Sequence, residues 1–104
     1  IGGNNEIRNI EVVMKICSIL DEKKSHQLNR LSSFSQLIAY VKDRPGHDVR
    51  YAIDASKIQK ELEWTPLESF DSGLKKTVFW YLDNKVWCDN VQNGNYLLNR
   101  LGKI

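Results

Sequence analysis

Two side chains with complementary binding chemistry, Arg44 and His47, stand on either side of a Pro-Gly pair near the middle of the chain. Pro45 disfavours a helical backbone at the residue before it, and Gly46 lets the chain reverse without a Cβ clash, so the sequence predicts a tight turn here. Arginine offers phosphate or carboxylate a planar fork of donors, and imidazole can donate to or accept from a hydroxyl. The pair therefore indicates a site for an anionic ligand with hydroxyl groups. The alternative is a solvated loop without a ligand.

A third polar residue, Asn9, precedes an amphipathic pattern. The apolar residues of that pattern follow the helical spacing i, i+3, i+4 and i+7, and they are Ile10, Val13, Met14, Cys17 and Leu20. The asparagine side chain is expected to cap this helix. The free amides of a helix start also bind anions, so a ligand phosphate could share the position.

No other set of residues suggests catalysis or metal binding. The sequence has no Gly-x-Gly-x-x-Gly turn, no Walker loop and no Gly-x-Ser-x-Gly motif. Its two histidines and two cysteines do not follow zinc-ligand spacing. Acidic pairs such as Asp21-Glu22 are interpreted as solvated helix ends. The chain is expected to hold binding residues but no catalytic residue, cofactor site or metal site.

The elements around the turn follow from local patterns. Residues 37–41 are apolar and partly β-branched or aromatic, which predicts a strand leading into the turn. Asp54 is predicted to cap a short helix over residues 55–62, with Ile58 and Leu62 facing inward.

Further along, Trp64 is expected to fill the core, and Ser69 is expected to cap a longer helix that ends near Asn84. The serine-rich stretch 26–35 is interpreted as a variable surface connection with a short helical turn. Residues 85–104 are expected to form a final helix that carries Trp87, Tyr96, Leu97, Leu98 and Leu101.

Composition limits the protein class. A chain of 104 residues with 41% hydrophobic and 27% charged residues fits at most one globular domain. The net charge of +2 is too small to indicate a nucleic-acid partner, and no run is long enough to indicate a membrane span. Two separate cysteines favour free thiols and a cytoplasmic location. The start at Ile1-Gly2-Gly3, without methionine, suggests a strand end and therefore a piece of a longer protein.

Three motifs closely resemble the C-terminal part of the extended short-chain dehydrogenase/reductase family. They are Asp-Arg-Pro-Gly-His-Asp at 43–48, Arg-Tyr-Ala-Ile-Asp at 50–54 and Leu-Glu-Trp-Thr-Pro at 62–66. Residues 1–6 and 69–82 extend the resemblance over nearly the whole chain. The histidine after the turn glycine, together with the motif at 50–54, is most similar to members that act on dTDP-sugars.

The resemblance implies an α/β enzyme with two domains. Residues 1–104 would form its C-terminal nucleotide-sugar-binding region, which is α+β and mainly helical with a few short strands. An upstream Rossmann domain would bind NAD and supply the Tyr-x-x-x-Lys pair, so this chain alone is expected to be inactive. The implied partners are a dTDP-sugar, that Rossmann domain and a second copy of the enzyme in a homodimer.

The same resemblance assigns roles to the three polar residues. Arg44 would bind the diphosphate, His47 would hydrogen-bond the ribose side of the nucleotide, and Asn9 would add a polar contact near the diphosphate. Many members place a tyrosine near the extreme C-terminus, where this chain has Ile104, so that contact is not carried over.

Two alternatives stay open at this point. The chain could be the C-terminal part of another NAD-dependent nucleotide-sugar epimerase, dehydratase or decarboxylase. It could also be an autonomous interaction module that uses its aromatic helix as a contact face.

Overall fold

The structure is a computed structural model that describes residues 2–27 and 30–93. Its helices are α1 (Asn9–Lys24), α2 (Ser56–Leu62), α3 (Phe70–Asp83) and α4 (Lys85–Gln92), with short 3-10 helices at Ser25–Gln27 and Phe34–Leu37. The mainly helical fold is therefore confirmed. None of these helices is long and apolar enough to cross a membrane. Tyr96, Leu97, Leu98, Leu101 and Ile104 lie outside the described residues.

The start of α1 differs by one residue from the expectation. Arg8 is the capping residue and Asn9 is the first residue of the helix, so the prediction that Asn9 caps it is wrong. The carboxylate of Glu11 reaches back and accepts a hydrogen bond from the Arg8 backbone N–H (3.0 Å) and another from its guanidinium (3.2 Å). An acidic side chain in the first turn thus binds the N–H of the capping residue at the positive end of the helix, which is the reciprocal half of a capping box.

Helices α1 and α3 pack against each other. Cys17 of α1 and Val78 of α3 are buried, and two ion pairs join the helices from the outside. In these pairs Lys15 Nζ lies 2.5 Å from Asp71 Oδ1, and Lys75 Nζ lies 2.7 Å from Glu22 Oε1. Both carboxylates are largely exposed and both lysines are half-exposed, so packing rather than charge fixes the pair of helices.

The serine-rich connection is anchored to α1 by Asp21. Its carboxylate accepts hydrogen bonds from the Ser33 hydroxyl (2.6 Å) and from the Phe34 backbone N–H (2.7 Å). The interpretation of Asp21 as part of a solvated helix end is therefore wrong. The two bonds hold the 3-10 helix Phe34–Leu37 against α1, and the short helical turn expected in this stretch is confirmed.

The strand predicted over residues 37–41 is absent, and the part of the chain that the structure describes contains no strand at all. Leu37 ends a 3-10 helix, and Ile38 beyond it has an extended backbone. An extended segment becomes a strand only when a neighbouring strand accepts and donates its ladder hydrogen bonds. The described residues supply no such neighbour.

Helix α2 begins one residue later than predicted, with Ala55 rather than Asp54 as its capping residue, and it does not pack as expected. The Asp54 carboxylate accepts a hydrogen bond from the Ser56 backbone N–H at 2.9 Å, although Ala55 holds the capping position. Glu63 ends the helix in a left-handed conformation with φ of 50°. Leu62 is 71% exposed, so the prediction that it faces inward is wrong.

Helix α3 follows the prediction closely. The Ser69 hydroxyl accepts a hydrogen bond from the Ser72 backbone N–H (3.1 Å), which confirms the cap, and the helix ends at Asp83. Trp80 of α3 and Trp87 of α4 meet edge to face, with ring centroids 5.1 Å apart. Both indoles stay substantially exposed.

Candidate functional site

A cleft with a volume of about 1010 Å³ brings together the three polar residues singled out in the sequence. It lies between α1, the 3-10 helix Phe34–Leu37 and the extended chain that follows. Asn9, Arg44 and His47 all line it. Asn9 lies 35 or more positions before the other two residues in the sequence and nevertheless faces the same cleft.

The cleft has an apolar wall and a polar part. The apolar wall comes from the two helices and consists of Ile10, Val13, Cys17, Leu20, Phe34 and Leu37. The polar part contains the three residues above together with Arg8, Asp43 and Asp48. An apolar wall with a few convergent polar groups is typical of a small-molecule site.

The first turn of α1 contributes backbone donors as well as Asn9. The Glu11 and Val12 amides donate to the Arg8 carbonyl at 3.0 and 3.2 Å. Within the described ranges, the amides of Asn9 and Ile10 have no such partner. Both residues line the cleft, so the positive end of the helix lies at its edge.

The Pro-Gly turn presents Arg44 and His47, and its geometry matches the prediction. Gly46 has φ of +67°, in the left-handed region that favours glycine. Asp43 closes the turn, because its Oδ1 atom accepts a hydrogen bond from the Arg44 backbone N–H (2.8 Å) and lies 2.5 Å from His47 Nδ1. The turn is thus held by a carboxylate one residue before Arg44 and four residues before His47.

The electrostatics of this contact determine which atom carries the proton. The hydrogen bond from the His47 side chain, aided by the Arg44 backbone N–H, holds the pKa of Asp43 below its usual value. Asp43 is therefore an ionised acceptor near neutral pH, and the proton between the two groups belongs to His47 Nδ1. The other ring nitrogen, Nε2, is left for a ligand.

Arg44 differs from its arginine neighbours in being unpaired. Arg8 is bound to Glu11, and Arg50 Nη2 lies 3.4 Å from Glu6 Oε2. Across the described part of the chain, the Arg44 guanidinium has neither an ion pair nor a hydrogen bond, not even with Asp48 four residues later. Its donors are available to a ligand.

Sequence reasoning missed the part played by Asp43 and Asp21. Asp21 fixes the 3-10 helix that carries Phe34 and Leu37 into the cleft wall. Asp43 holds both predicted ligand residues of the turn. The available signal was an acidic residue four positions before a histidine, with a Pro-Gly reversal between them.

A second cavity of about 650 Å³ lies where residues 2–6 meet residues 51–54. Its lining includes the polar side chains of Asn4, Asn5, Glu6, Tyr51 and Asp54 but no arginine, lysine or histidine that could pair with an anion. Over the described ranges, no three His, Cys, Asp or Glu side chains approach closely enough to hold a metal ion. The same ranges contain no strand from which a dinucleotide-binding turn could start.

Comparison with known proteins shows which family the chain resembles. The family described as GDP-mannose 4,6 dehydratase matches residues 1–77. The dTDP-glucose 4,6-dehydratase of Neisseria meningitidis serogroup B is 58% identical over 98% of the chain, and an Escherichia coli protein of the same name is 54% identical over the whole chain. The chain spans 29% of the length of each of these relatives.

A solved structure agrees with the sequence comparison. The crystal structure of dTDP-glucose 4,6-dehydratase from Bacillus anthracis, in complex with NAD, matches with a TM-score of 0.62 and 44% identity. The match covers 84% of this chain and 24% of that one. The relatives are enzymes, and the chain corresponds to a part of them.

Proposed function

The chain belongs to the GDP-mannose 4,6-dehydratase family, and from this we propose that it is the substrate-binding C-terminal part of a dTDP-glucose 4,6-dehydratase. The complete enzyme would be a hydro-lyase that converts dTDP-glucose to dTDP-4-keto-6-deoxyglucose in deoxysugar biosynthesis. The observation that carries the proposal for this chain is the cleft, which joins an unpaired Arg44 to His47 and to the start of α1.

The diphosphate of the substrate would bind at the polar part of the cleft. Arg44 can take two phosphate oxygens with parallel hydrogen bonds, and such charge-assisted bonds contribute about 1.5–3 kcal/mol each when shielded from water. Asn9 and the free amides of the first turn of α1 offer neutral donors to the same group.

The ribose would bind on the other side of the turn. His47 Nε2 carries a lone pair when Nδ1 holds the proton, so it can accept a hydrogen bond from a ribose hydroxyl. The apolar wall of α1 and Phe34 removes water from one side of the ligand and strengthens these polar contacts.

The remaining functions belong to parts of the enzyme outside this chain. NAD and the groups that oxidise the sugar and eliminate water would come from an upstream Rossmann domain, so residues 1–104 alone would be inactive. We also propose a homodimer that forms through that domain. A cytoplasmic location is supported by the free thiols of Cys17 and Cys88.

Calorimetric titration with dTDP tests the site in the complete protein that carries this chain. We expect saturable binding by the wild type and a loss of roughly ten-fold or more in affinity for Arg44→Ala. Unchanged dTDP affinity in a folded Arg44→Ala protein would indicate that the turn is a solvated loop without a ligand.

Turnover tests the reaction and the second candidate. The second candidate function is that of a family member that acts on another nucleotide sugar. GDP-mannose is the sugar to test, because the matching family is described as GDP-mannose 4,6 dehydratase. We expect the complete protein to convert dTDP-glucose and not GDP-mannose, and the 104-residue chain to convert neither. Conversion of GDP-mannose alone would replace the proposed substrate, and turnover by the short chain would overturn the assignment of catalysis to an upstream domain.

A further inference from the structure

We propose that Asp43 is a positioning residue that fixes the ring orientation and the Nδ1–H tautomer of His47, so that Nε2 is presented as an acceptor to ligand hydroxyl groups in the cleft. The identity of the ligand rests on the function proposed above. The contact between Asp43 and His47 does not, because it involves only residues of this chain.

The geometry favours positioning over an incidental surface contact. One oxygen, Asp43 Oδ1, receives the Arg44 backbone N–H at 2.8 Å and His47 Nδ1 at 2.5 Å. The two donors come from the two sides of the Pro45-Gly46 reversal. The carboxylate therefore couples the backbone that carries the guanidinium to the imidazole ring.

The state of the proton follows from the chemistry of the pair. An ionised carboxylate can only accept, so Nδ1 must be the donor. The tautomer of a histidine is set by the bond that one ring nitrogen makes, and the other nitrogen takes the complementary role. With Nδ1 bound to Asp43, Nε2 of the neutral ring holds a lone pair on the far side of the ring.

The other charged groups near the turn do not take this role. Asp48 lines the same cleft but, among the residues that the structure describes, forms no hydrogen bond or ion pair with His47, and Arg8 is held by Glu11. In the described residues Asp43 is the one carboxylate bonded to the imidazole. Removing it would leave the ring free to rotate and to carry its proton on either nitrogen, which weakens any contact that needs the Nε2 lone pair.

Nitrogen NMR of the ligand-free complete protein, labelled at histidine with ¹⁵N, tests the tautomer directly. The spectra are recorded near pH 8, well above the ordinary imidazole pKa of about 6.5. We expect His47 to show a protonated Nδ1 and an unprotonated Nε2 in the wild type. Asp43→Ala is expected to shift the proton towards Nε2, and Asp43→Asn, whose amide oxygen can still accept, to retain much of the wild-type pattern.

Asp83→Asn supplies the matched control. Asp83 ends α3, is exposed and does not line the cleft, so its removal changes the net charge without touching His47. Its spectrum is expected to match the wild type. A wild-type His47 that carries its proton on Nε2, or an Asp43→Ala spectrum equal to that of the wild type, would overturn the proposal whatever the ligand is.

Binding of dTDP by the same variants links the tautomer to recognition. We expect His47→Ala and Asp43→Ala each to weaken binding about five-fold, and the double variant to be no weaker than either, because Asp43 acts through His47. Losses that multiply in the double variant would show that Asp43 acts independently of His47, for example through its bond to the Arg44 backbone N–H, and would overturn the proposal. A wild-type protein that binds no dTDP but shows the Nδ1–H tautomer would contradict the proposed function and leave the positioning role of Asp43 intact.

Discussion

A Cβ atom on Gly2 would lie 2.7 Å from the Cβ atom of Ile53, closer than unbonded carbon atoms approach each other. Gly2 is buried, and the segments that contain the two residues run side by side. The segment around Ile53 directly follows the turn of Arg44 and His47. The glycine thus allows the chain before α1 to pack against the chain after the candidate site.

Gly2→Ala is expected to destabilise the protein by about 1–3 kcal/mol, because either segment must move to relieve the overlap. Gly3→Ala is the matched control, since the nearest atom to its new Cβ would be Asn5 Nδ2 at 3.6 Å, an ordinary contact. Denaturant unfolding monitored by tryptophan fluorescence measures both. Equal stabilities for the two variants would contradict the close approach.

Ser69→Ala is expected to cost about 0.5–2 kcal/mol, because the Ser72 amide loses its acceptor at the start of α3. Ser18→Ala provides the comparison, since Ser18 is exposed in the middle of α1 and alanine is the better helix former there. We expect Ser18→Ala to be neutral or slightly stabilising in the same unfolding assay. A loss of stability in Ser18→Ala as large as that in Ser69→Ala would argue against the capping role.

The sequence predicted helices better than it predicted the segments between them. In α3, the serine cap and the apolar spacing are both local properties, so its start was found and its end was missed by one residue. The strand over residues 37–41 failed because a strand depends on a partner, and local pattern carries no information about the partner. The prediction that Leu62 faces inward failed for a similar reason, since the apolar side of a short helix is buried only where another element covers it.

In the candidate site, too, the features set by local sequence were predicted and those set by tertiary packing were not. Arg44 and His47 could be chosen because a Pro-Gly reversal brings close residues together whatever the rest of the chain does. Their meeting with Asn9 in one cleft depends on how α1 packs, and spacing alone does not give that. The contact of Asp21 with the Phe34 turn is likewise a tertiary bond between residues 13 apart.

Acidification is expected to weaken the protein through Glu68. The Lys76 ammonium and the Ser72 hydroxyl hold the pKa of Glu68 below its usual value. A carboxylate whose pKa is lower in the folded state binds fewer protons there than in the unfolded chain, so stability is full above the ordinary pKa of 4.5 and falls as the pH drops through the folded value.

Glu68→Gln isolates this contribution. We expect the variant to unfold slightly more easily than the wild type at pH 7, because it cannot pair with the lysine. The difference should shrink as the pH falls through the lowered pKa of folded Glu68, because the wild-type side chain then also loses its charge. A difference that persists unchanged at low pH would show that shape rather than charge is responsible.

The exposed indoles of α3 and α4 predict self-association of the 104-residue chain on its own. Trp80 and Trp87 lie edge to face beside other exposed apolar residues, and contiguous apolar patches favour association. Sedimentation velocity should show a molecular mass that rises with concentration, and Trp87→Gln should reduce the rise. Leu67→Gln is the control, because Leu67 is 98% exposed but lies in the loop before α3 rather than in the aromatic group. An equal effect of both substitutions would indicate general hydrophobicity instead of this surface.

Arg44→Lys in the complete protein is expected to lower dTDP affinity more than conservation of charge suggests. Lysine keeps the positive charge but loses the planar fork, so one of two parallel hydrogen bonds to the diphosphate is lost. We expect a loss of about 1–2 kcal/mol, or roughly five- to thirty-fold, against about five-fold for His47→Ala.

Arg50→Lys makes the same chemical change outside the cleft, where the arginine forms an exposed ion pair with Glu6, and it should leave dTDP affinity unchanged. Single-turnover rates at saturating dTDP-glucose should change little in all three variants, because none of these residues is assigned to proton or hydride transfer. If Arg44→Lys binds dTDP as tightly as the wild type while Arg44→Ala does not, the guanidinium acts as a point charge rather than as a fork of two donors.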